Sequence, residues 1–415
     1  MSTSRWCSTS ATRRAQRAAA QDATAVNQRI LQGRATEAAI WGVAAVNTDL
    51  MLQAALRAGA KENEVIYWSR PVDWHNQSLT PNPDAIYFMV FFNTTKGPVV
   101  IEIPPEEDGH SITGNIDDVW QMPLEDAGPA GADEGKGGKY LVLPPGYTDK
   151  IPDGYIALHA LTHRGYALIR SNLASHADAD VAGSLAYGKR IKAYELAQSA
   201  NPPATRFTDA VDNLFDATIP YDERFFDSLN RVVQEEPWLD RDRVMIDLLK
   251  SIGIEKGKPF APDAATKALY LATIQDAHAW LDHLYETTFP PYWPTSRWAV
   301  PARAEHVAAF SNGYADPDSY PVDARSTTYT LGYVGIKRLG AGQFYLISGK
   351  DKQGADLDGA KTYRLTVPKD APVQQYWSVT AYSRETHALI KHVARGSRSS
   401  QVADLTKNAD GSVDI

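Results

Sequence analysis

The segment over residues 79–120 constrains the fold of this chain more than any other. A Pro- and Asn-containing turn at 81–84 opens an apolar, aromatic-rich stretch over 85–92. A Gly-Pro turn then leads to a second apolar stretch over 99–103, and a third ends shortly before Trp120. Short apolar stretches separated by Gly and Pro are typical of strands in an antiparallel β-sandwich.

Length and charge narrow the class of protein. A chain of 415 residues predicts more than one hydrophobic core. The net charge of −8 argues against a nucleic-acid partner, because binding phosphates requires clustered Lys and Arg. We predict no transmembrane segment, since no stretch reaches the roughly 18 uninterrupted apolar residues that a membrane helix needs. The single cysteine, Cys7, excludes an internal disulfide framework and a Cys-ligated zinc site.

The order of patterns along the chain predicts four parts. Residues 1–22 are rich in Ser, Ala and Arg without an apolar signal core, and predict a disordered leader. This places the protein in the cytoplasm as the chain stands, or outside it if the start is misassigned. Residues 23–175 predict an N-terminal helix and a first β-sandwich. Residues 176–335 show helical periodicity and predict a helical region with a connector, and residues 336–415 predict a second β-sandwich.

The predicted fold class is therefore α+β, with two antiparallel, jelly-roll-like β-sandwich domains and a helical region between them. Within the helical part, we expect helices over 180–197 and 208–216, among others. Pro202 and Pro203 lie between these two helices, at a position where helices usually end or begin.

Several motifs resemble a known pair of families. TPNPDAIYFMVFFNTTKGPVVIEIP and GGKYLVLPPGY look like the bacterial domain-of-unknown-function family numbered twelve fifty-four. GADLDGAKTYRLTVPKDAPVQQYWSVTAYSRETHALI looks like its usual partner domain, numbered twelve fourteen. The resemblance implies two sandwiches with helices between them and a tendency to form homo-oligomers, but it brings no agreed reaction, cofactor or catalytic set. Family members continue beyond the GSVDI motif, so we expect the second sandwich to be incomplete at its C-terminus.

Three residues are candidates for catalysis. Asp84 stands at a strand entrance and Asp118 shares a strand face with Trp120, so the two carboxylates would form an acid/base pair if they converge. We expect a separation of about 5–10 Å in that case. His75 is the candidate general base, because it lies in an aromatic, turn-rich loop. The alternative for Asp84 is that it caps the turn together with Asn82 through bonds to the backbone.

The predicted ligand-binding residues are aromatic or polar side chains near these positions or in the second β region. Tyr376 and Tyr382 share a strand face by alternation, which predicts either a ligand groove or an inter-domain surface. The histidines are scattered and predict no metal site. The set comprises Trp74, Asn82, Tyr87, Trp120, Arg164, Tyr376 and Tyr382.

The functional prediction is a hydrolase-type enzyme acting on a small or oligomeric polar organic substrate. It would use carboxylate and histidine acid/base chemistry in an aromatic cleft. The alternative is a non-catalytic ligand-binding or assembly protein built from two β-sandwiches. A buried Asp84 or Asp118 that faces a cleft without a backbone partner favours the enzyme, whereas a solvent-facing cap favours the alternative. No cofactor is identified by the sequence.

Overall fold

The computed structural model describes residues 7–332, 335–338, 342–393 and 395–415, with side chains from residue 22 onward. This part of the chain has a mixed α+β fold. Its α-helices are α1 (Cys7–Arg57), α2 (Asp178–Gly188), α3 (Arg224–Glu235), α4 (Val244–Ser251), α5 (Ala264–Thr287), α6 (Ala304–Ser311) and α7 (Val322–Tyr329).

The strands of the described part fall mainly in the first half of the chain. The first nine are β1 (Val65–Tyr67), β2 (Asn76–Gln77), β3 (Ala85–Asn93), β4 (Val99–Ile103), β5 (Ile112–Asp118), β6 (Pro123–Ala127), β7 (Gly138–Leu143), β8 (Ile156–His159) and β9 (Arg164–Asn172). The remaining ones are β10 (Lys192–Glu195), β11 (Phe207–Asp209), β12 (Phe215–Asp216), β13 (Thr366–Val367), β14 (Ser378–Thr380), β15 (Ser397–Ser399) and β16 (Val413–Asp414).

Two sheets share one hydrophobic core. The larger sheet has the strand order β11-β1-β3-β9-β5-β6 and the smaller one β10-β4-β7-β8. Alternate residues of β3, such as Phe88 and Val90, are fully buried in one cluster with Ile101 of β4 and Tyr140 of β7. The pairing is mostly antiparallel, with parallel pairs at β1–β11 and β7–β8. Every regular element over residues 65–171 is thus a strand, which agrees with the predicted first β region, whereas the jelly-roll-like arrangement stays a prediction.

The other face of the larger sheet packs on α1. Met89 and Phe91 of β3 cluster with Met51 and Leu52 near the end of this helix. Among the described helices, the segment Asp22–Arg57 is long and apolar enough to cross a membrane, but 83% of its most apolar window is buried inside the protein. Such burial is that of a core helix, so the segment is weak evidence for a membrane span.

The structure differs from the prediction in the leader and in the first part of the helical region. The backbone over 7–21 is helical where a disordered leader was predicted, because its Ala, Arg and Gln residues are strong helix formers that extend a buried helix. The predicted helix over 180–197 ends at Gly188, and the predicted helix over 208–216 is replaced by β11 and β12. Strand β10 follows α2 because its apolar residues add an edge strand to the smaller sheet.

The second β region also differs from its prediction. Its described strands form only two separate pairs, β13–β16 and β14–β15, instead of a second sandwich over 336–415. Large apolar residues of this region are exposed, among them Leu357 (48%) and Val373 (45%). A two-stranded pair without an apolar face to bury gains little stability, so the strand pattern of this region does not lead to a sheet of its own.

Candidate functional site

The turn before β3 is fixed by Asn82. The Oδ1 atom of Asn82 accepts the backbone N–H of Asp84 at 2.9 Å, and its own backbone N–H donates to the hydroxyl of Tyr87 at 3.0 Å. Asn82 therefore has the capping role that the alternative interpretation gave it. The carboxylate of Asp84 is left free to make other contacts.

The Asp84 carboxylate binds two side chains from distant parts of the chain. Its Oδ1 atom lies 2.8 Å from Nε2 of His176, and its Oδ2 atom accepts the hydroxyl of Ser397 at 3.2 Å. Asp84 is 1% exposed, and no backbone group of the described residues donates to its carboxylate. By the criterion set from the sequence, this arrangement favours a functional carboxylate over a turn cap.

The pair of Asp84 and His176 lines a cleft of about 400 Å³. The side chain of His176 is 31% exposed, so its ring is accessible from this cleft. One wall is apolar and includes Trp74, Ile390 and Val393. Charged groups of both signs complete the lining, namely Asp73, Arg395, Arg398 and Asp404. Both arginines are paired with Asp404, at 3.2 and 2.9 Å.

His75, the predicted general base, is not part of this lining. Its ring stacks on Trp74 with 3.8 Å between ring centroids, and its Nδ1 atom lies 2.7 Å from Oδ1 of Asp73. His75 therefore supports the aromatic wall, and the histidine that faces the cleft is His176.

The signal that could have identified His176 depends on strand pairing. Ala85, next to Asp84, pairs with Asn172 at the end of β9. The chain beyond Asn172 therefore runs beside the start of β3, which brings His176 to Asp84. Knowing that β3 and β9 are neighbours would have identified the pair, but the order of strands in a sheet is not visible in the sequence.

The predicted pairing of Asp84 with Asp118 is wrong. Ala85 pairs with Asn172 on β9, whereas Asp118 pairs with Gly165 on the same strand. These positions are seven residues apart along β9 (172 − 165 = 7), which corresponds to about 23 Å at 3.3 Å per residue. The two carboxylates lie at opposite ends of the sheet because β3 and β5 both run antiparallel to β9.

Asp118 has a structural environment of its own. Its Oδ1 atom accepts the backbone N–H groups of Trp120 at 2.8 Å and Met122 at 3.0 Å. Complete burial raises the pKa of Asp118 to about 6, although Arg241 and Arg325 act in the opposite direction. Through these two hydrogen bonds, the Asp118 carboxylate stabilises the turn that follows β5.

Trp120 likewise belongs to the core between the sheet and the helices. Its ring lies 4.6 Å from that of Trp41, and the guanidinium of Arg325 lies 5.0 Å from the Trp120 ring centroid. Asp242 accepts the indole N–H of Trp41 at 2.7 Å. These contacts join α1, the end of β5 and the helical region, and they do not reach the cleft.

Arg164, predicted to bind a ligand, is neutralised by acidic side chains. It binds Glu62 directly, and its Nη1 atom lies 2.9 Å from Oε2 of Glu235. The neighbouring Glu236 accepts the backbone N–H groups of His163 and Arg164. A guanidinium paired in this way is poorly suited to hold an anionic ligand, so the prediction for Arg164 is not supported by its contacts.

The predicted tyrosines cover the turn before β3. The hydroxyl of Tyr376 accepts Nδ2 of Asn82 at 2.9 Å, and the hydroxyl of Tyr382 donates to the carbonyl of Pro81 at 2.9 Å. Tyr87 accepts Nε of Arg170 at 3.3 Å. Of the two alternatives for this tyrosine face, the contacts correspond to an inter-domain surface. The described residues contain no group of three or more His, Cys, Asp or Glu arranged to hold a metal ion.

Two family models match the chain. The one described as Protein of unknown function (DUF1254) matches residues 62–194, and the one described as Protein of unknown function (DUF1214) matches residues 342–415. The two matches follow each other along the chain in that order. The resemblance noted in the sequence motifs is thereby confirmed. Asp84 and His176 belong to the DUF1254 match, and Ser397, Arg395 and Arg398 belong to the DUF1214 match, so the cleft lies between the two.

A solved structure shows a related fold. The VPA0106 protein from Vibrio parahaemolyticus is 17% identical, with a TM-score of 0.56, and the match covers 93% of this chain and 87% of that one. An uncharacterized protein from Burkholderia cenocepacia is 10% identical over 94% of this chain and 84% of that one, with a TM-score of 0.34 that supports no further argument. No curated protein matches the chain.

Proposed function

We propose that the protein is a hydrolase-type enzyme in which His176, oriented by Asp84, activates water in the cleft. The observation that carries the proposal is the 2.8 Å contact between His176 Nε2 and the buried Asp84 carboxylate, at the wall of a cleft. A histidine held by a carboxylate through one ring nitrogen is a recurring arrangement of general bases.

The contact between the two side chains supports a different proposed role for each residue. When Nε2–H donates to Asp84, the lone pair of the ring is on Nδ1, which is then the atom that accepts a proton from water. The water oxygen forms a bond to the reacting carbon, the proton moves to His176, and the departing alcohol or amine receives it. The Asp84 carboxylate stabilises the imidazolium that forms between these steps. Ser397 donates to Asp84 and not to His176, so a serine nucleophile is not favoured.

The lining indicates the kind of substrate. Exposed apolar side chains at Ile390 (37%) and Val393 (43%), beside Trp74, suit an apolar or aromatic group. The arginines and aspartates on the rest of the wall suit polar groups without a strong preference for one sign of charge. A volume of about 400 Å³ falls in the range of small-molecule sites, so a small polar organic substrate fits better than an oligomeric one.

The test is hydrolysis of chromogenic 4-nitrophenyl esters and glycosides by the full chain. We expect His176→Gln to lower kcat/KM for the preferred class by at least about 100-fold, since general acid–base groups contribute about 100- to 10,000-fold. Asp84→Asn should have a comparable effect. His159→Gln, an exposed residue of β8, is the matched control and should retain full activity. Hydrolysis that is unchanged in His176→Gln would contradict the proposal.

The alternative, a non-catalytic ligand-binding or assembly protein, has one observation in its favour. Because Ser397 binds Asp84, this carboxylate also connects the two matched domains. In that case Asp84→Asn lowers the melting temperature while no substrate class shows His176-dependent turnover. This alternative also includes assembly of the chain into a homo-oligomer. Sedimentation equilibrium of the full chain tests whether such an oligomer forms.

A further inference from the structure

Arg170 is a buried cation without an ionic partner. It lies on β9 and is 9% exposed. Its Nε atom donates to the hydroxyl of Tyr87 at 3.3 Å, and its Nη1 atom donates to Oε1 of Gln343. No carboxylate among the described residues forms an ion pair with it, and the undescribed positions of the chain contain no Asp or Glu.

The groups around Arg170 are neutral hydrogen-bonding side chains. Tyr345 donates its hydroxyl to the same Oε1 atom of Gln343 that Arg170 binds. Tyr376, which accepts Nδ2 of Asn82, is another hydroxyl of this group. Burial raises the pKa of Tyr345 and of Tyr376, so both hydroxyls stay protonated at neutral pH and provide no negative charge.

A buried guanidinium in neutral surroundings is unfavourable, because taking a charge out of water is offset only by a counter-charge or by complete hydrogen bonding. Arginine also matches the planar shape of a carboxylate, with two parallel N–H donors. We infer that Arg170, together with Tyr345 and Gln343, marks a binding site for the carboxylate of a small organic anion.

The amide oxygen of Gln343 shows where the anion would bind. It accepts one hydrogen from a guanidinium and one from a tyrosine hydroxyl, which are the donors a carboxylate oxygen would use. A ligand carboxylate replaces this neutral oxygen with a charged one and displaces the Gln343 side chain. One guanidinium with neutral neighbours matches a singly charged carboxylate better than a phosphate dianion.

This site is distinct from the cleft. None of Arg170, Tyr345 and Gln343 lines the cleft. Asn82 stands between the two sites, since it binds the backbone of Asp84 on one side and Tyr376 on the other. The inference therefore does not rest on the proposed hydrolase function.

The inference is tested by measuring the binding of acetate and benzoate to the full chain. Isothermal titration calorimetry and thermal shift assays at constant ionic strength measure this binding. We expect saturable binding of at least one of them, and a loss of affinity of at least about tenfold in Arg170→Gln, as for a lost charge-assisted bond. Arg190→Gln, an exposed arginine paired with Glu107, is the matched control and should bind like the wild type.

A second variant separates binding from a purely structural role. Gln343→Ala removes the competing oxygen, and we expect it to strengthen carboxylate binding, a gain that a structural role for Arg170 does not produce. This variant also keeps the test valid if Arg170→Gln does not fold. Affinity unchanged in both variants, or no carboxylate binding by the wild type and Gln343→Ala, overturns the inference. Saturable binding of inorganic phosphate without binding of acetate or benzoate overturns the carboxylate assignment.

Discussion

Arg325 connects three parts of the chain through one side chain. Its guanidinium donates to the carbonyl of Trp41 at 2.6 Å and to the hydroxyl of Tyr320 at 2.7 Å, and it lies over the ring of Trp120. The positive charge of Arg325, like that of Arg241, also lowers the pKa of Asp118 and so opposes the effect of burial on this carboxylate. Because its side chain is fully buried, none of these contacts can be replaced by water.

We expect Arg325→Ala to lower the free energy of unfolding by about 3–5 kcal/mol, since it removes the buried donor to Trp41 and Tyr320 and a charge that favours the ionised form of Asp118. Urea denaturation at pH 7 measures the change. The control is Arg224→Ala, whose side chain is 71% exposed and pairs with Asp222. This substitution should change the free energy of unfolding by no more than about 0.5 kcal/mol. Similar losses in the two variants would contradict the assignment of Arg325 as a buried connector.

Single residues were only partly predictable from the sequence. Asp84 and Trp74 stood out because of their turn and aromatic neighbours, and both line the cleft. His176 did not, because its contact with Asp84 spans 92 positions and depends on the pairing of β3 with β9. Asp118 resembled Asp84 in sequence context, but the antiparallel direction of the strands separates the two carboxylates.

Helix α2 meets the larger sheet at its last residue, Gly188. A Cβ atom at this position would lie 2.1 Å from the ring of Phe88, which is fully buried in the core between the sheets. We expect Gly188→Ala to lower the free energy of unfolding by about 1–3 kcal/mol through overpacking. Gly33 in α1 has no atom within 4 Å of such a Cβ.

The control substitution Gly33→Ala should therefore raise the free energy of unfolding, by about 0.5–1 kcal/mol, because alanine favours a helix interior. Chemical denaturation of both variants measures the difference. Opposite signs are the expected result, and two substitutions with the same sign would contradict the packing of α2 on Phe88.

Glu236 joins the end of α3 to the start of β9. Its carboxylate accepts the backbone N–H of His163 at 2.6 Å and that of Arg164 at 3.1 Å. Burial raises the pKa of Glu236 from 4.5 to about 8, and Asp118 adds to this effect, while the two backbone N–H groups and the charge of Arg164 oppose it. The folded protein therefore holds this proton more tightly than the unfolded chain does.

The stability that Glu236 contributes is largest below about pH 4.5, falls as the pH rises, and levels off above pH 8. The stability that Asp118 contributes also decreases as the pH rises, and this decrease ends near pH 6. We expect the melting temperature of the wild type to decrease between about pH 6.5 and 8, where only Glu236 of these two groups still loses its contribution. Glu236→Gln should flatten this decrease, and equal slopes in the two proteins would contradict the raised pKa.

At the scale of the whole molecule, the two halves differ in how far the sequence specifies them. The first β region combines regular alternation with residues such as Phe88 and Tyr140 that bury completely between two sheets. In the second region, the described strands over 343–415 form two short, separate pairs, and apolar residues such as Leu357 and Val373 are exposed. The tyrosines at 376 and 382 serve instead to dock this region on the turn before β3.

The docking of the second region depends on a few polar contacts. Tyr382 donates to the carbonyl of Pro81 at 2.9 Å, and Nε2 of Gln77 donates to the carbonyl of Leu389 at the same distance. Residues around these contacts are buried, such as Leu389, whereas Tyr363 is 38% exposed. Because the packing is uneven, we expect different parts of the second β region to unfold locally and independently of one another.

We expect hydrogen exchange to be slower over residues 378–389 than over 351–365, because buried contacts hold only the former. Tyr382→Phe removes the bond to Pro81 and should speed exchange over 378–389 by about fivefold, as expected for one hydrogen bond worth about 1 kcal/mol. Tyr363→Phe, which removes a bond to the backbone N–H of Asp358 in an exposed segment, is the matched control. It should leave exchange over 378–389 unchanged, because the bond that is lost lies within the exposed segment itself. Equal exchange in the two variants would show that the bond between Tyr382 and Pro81 does not hold the second region in place.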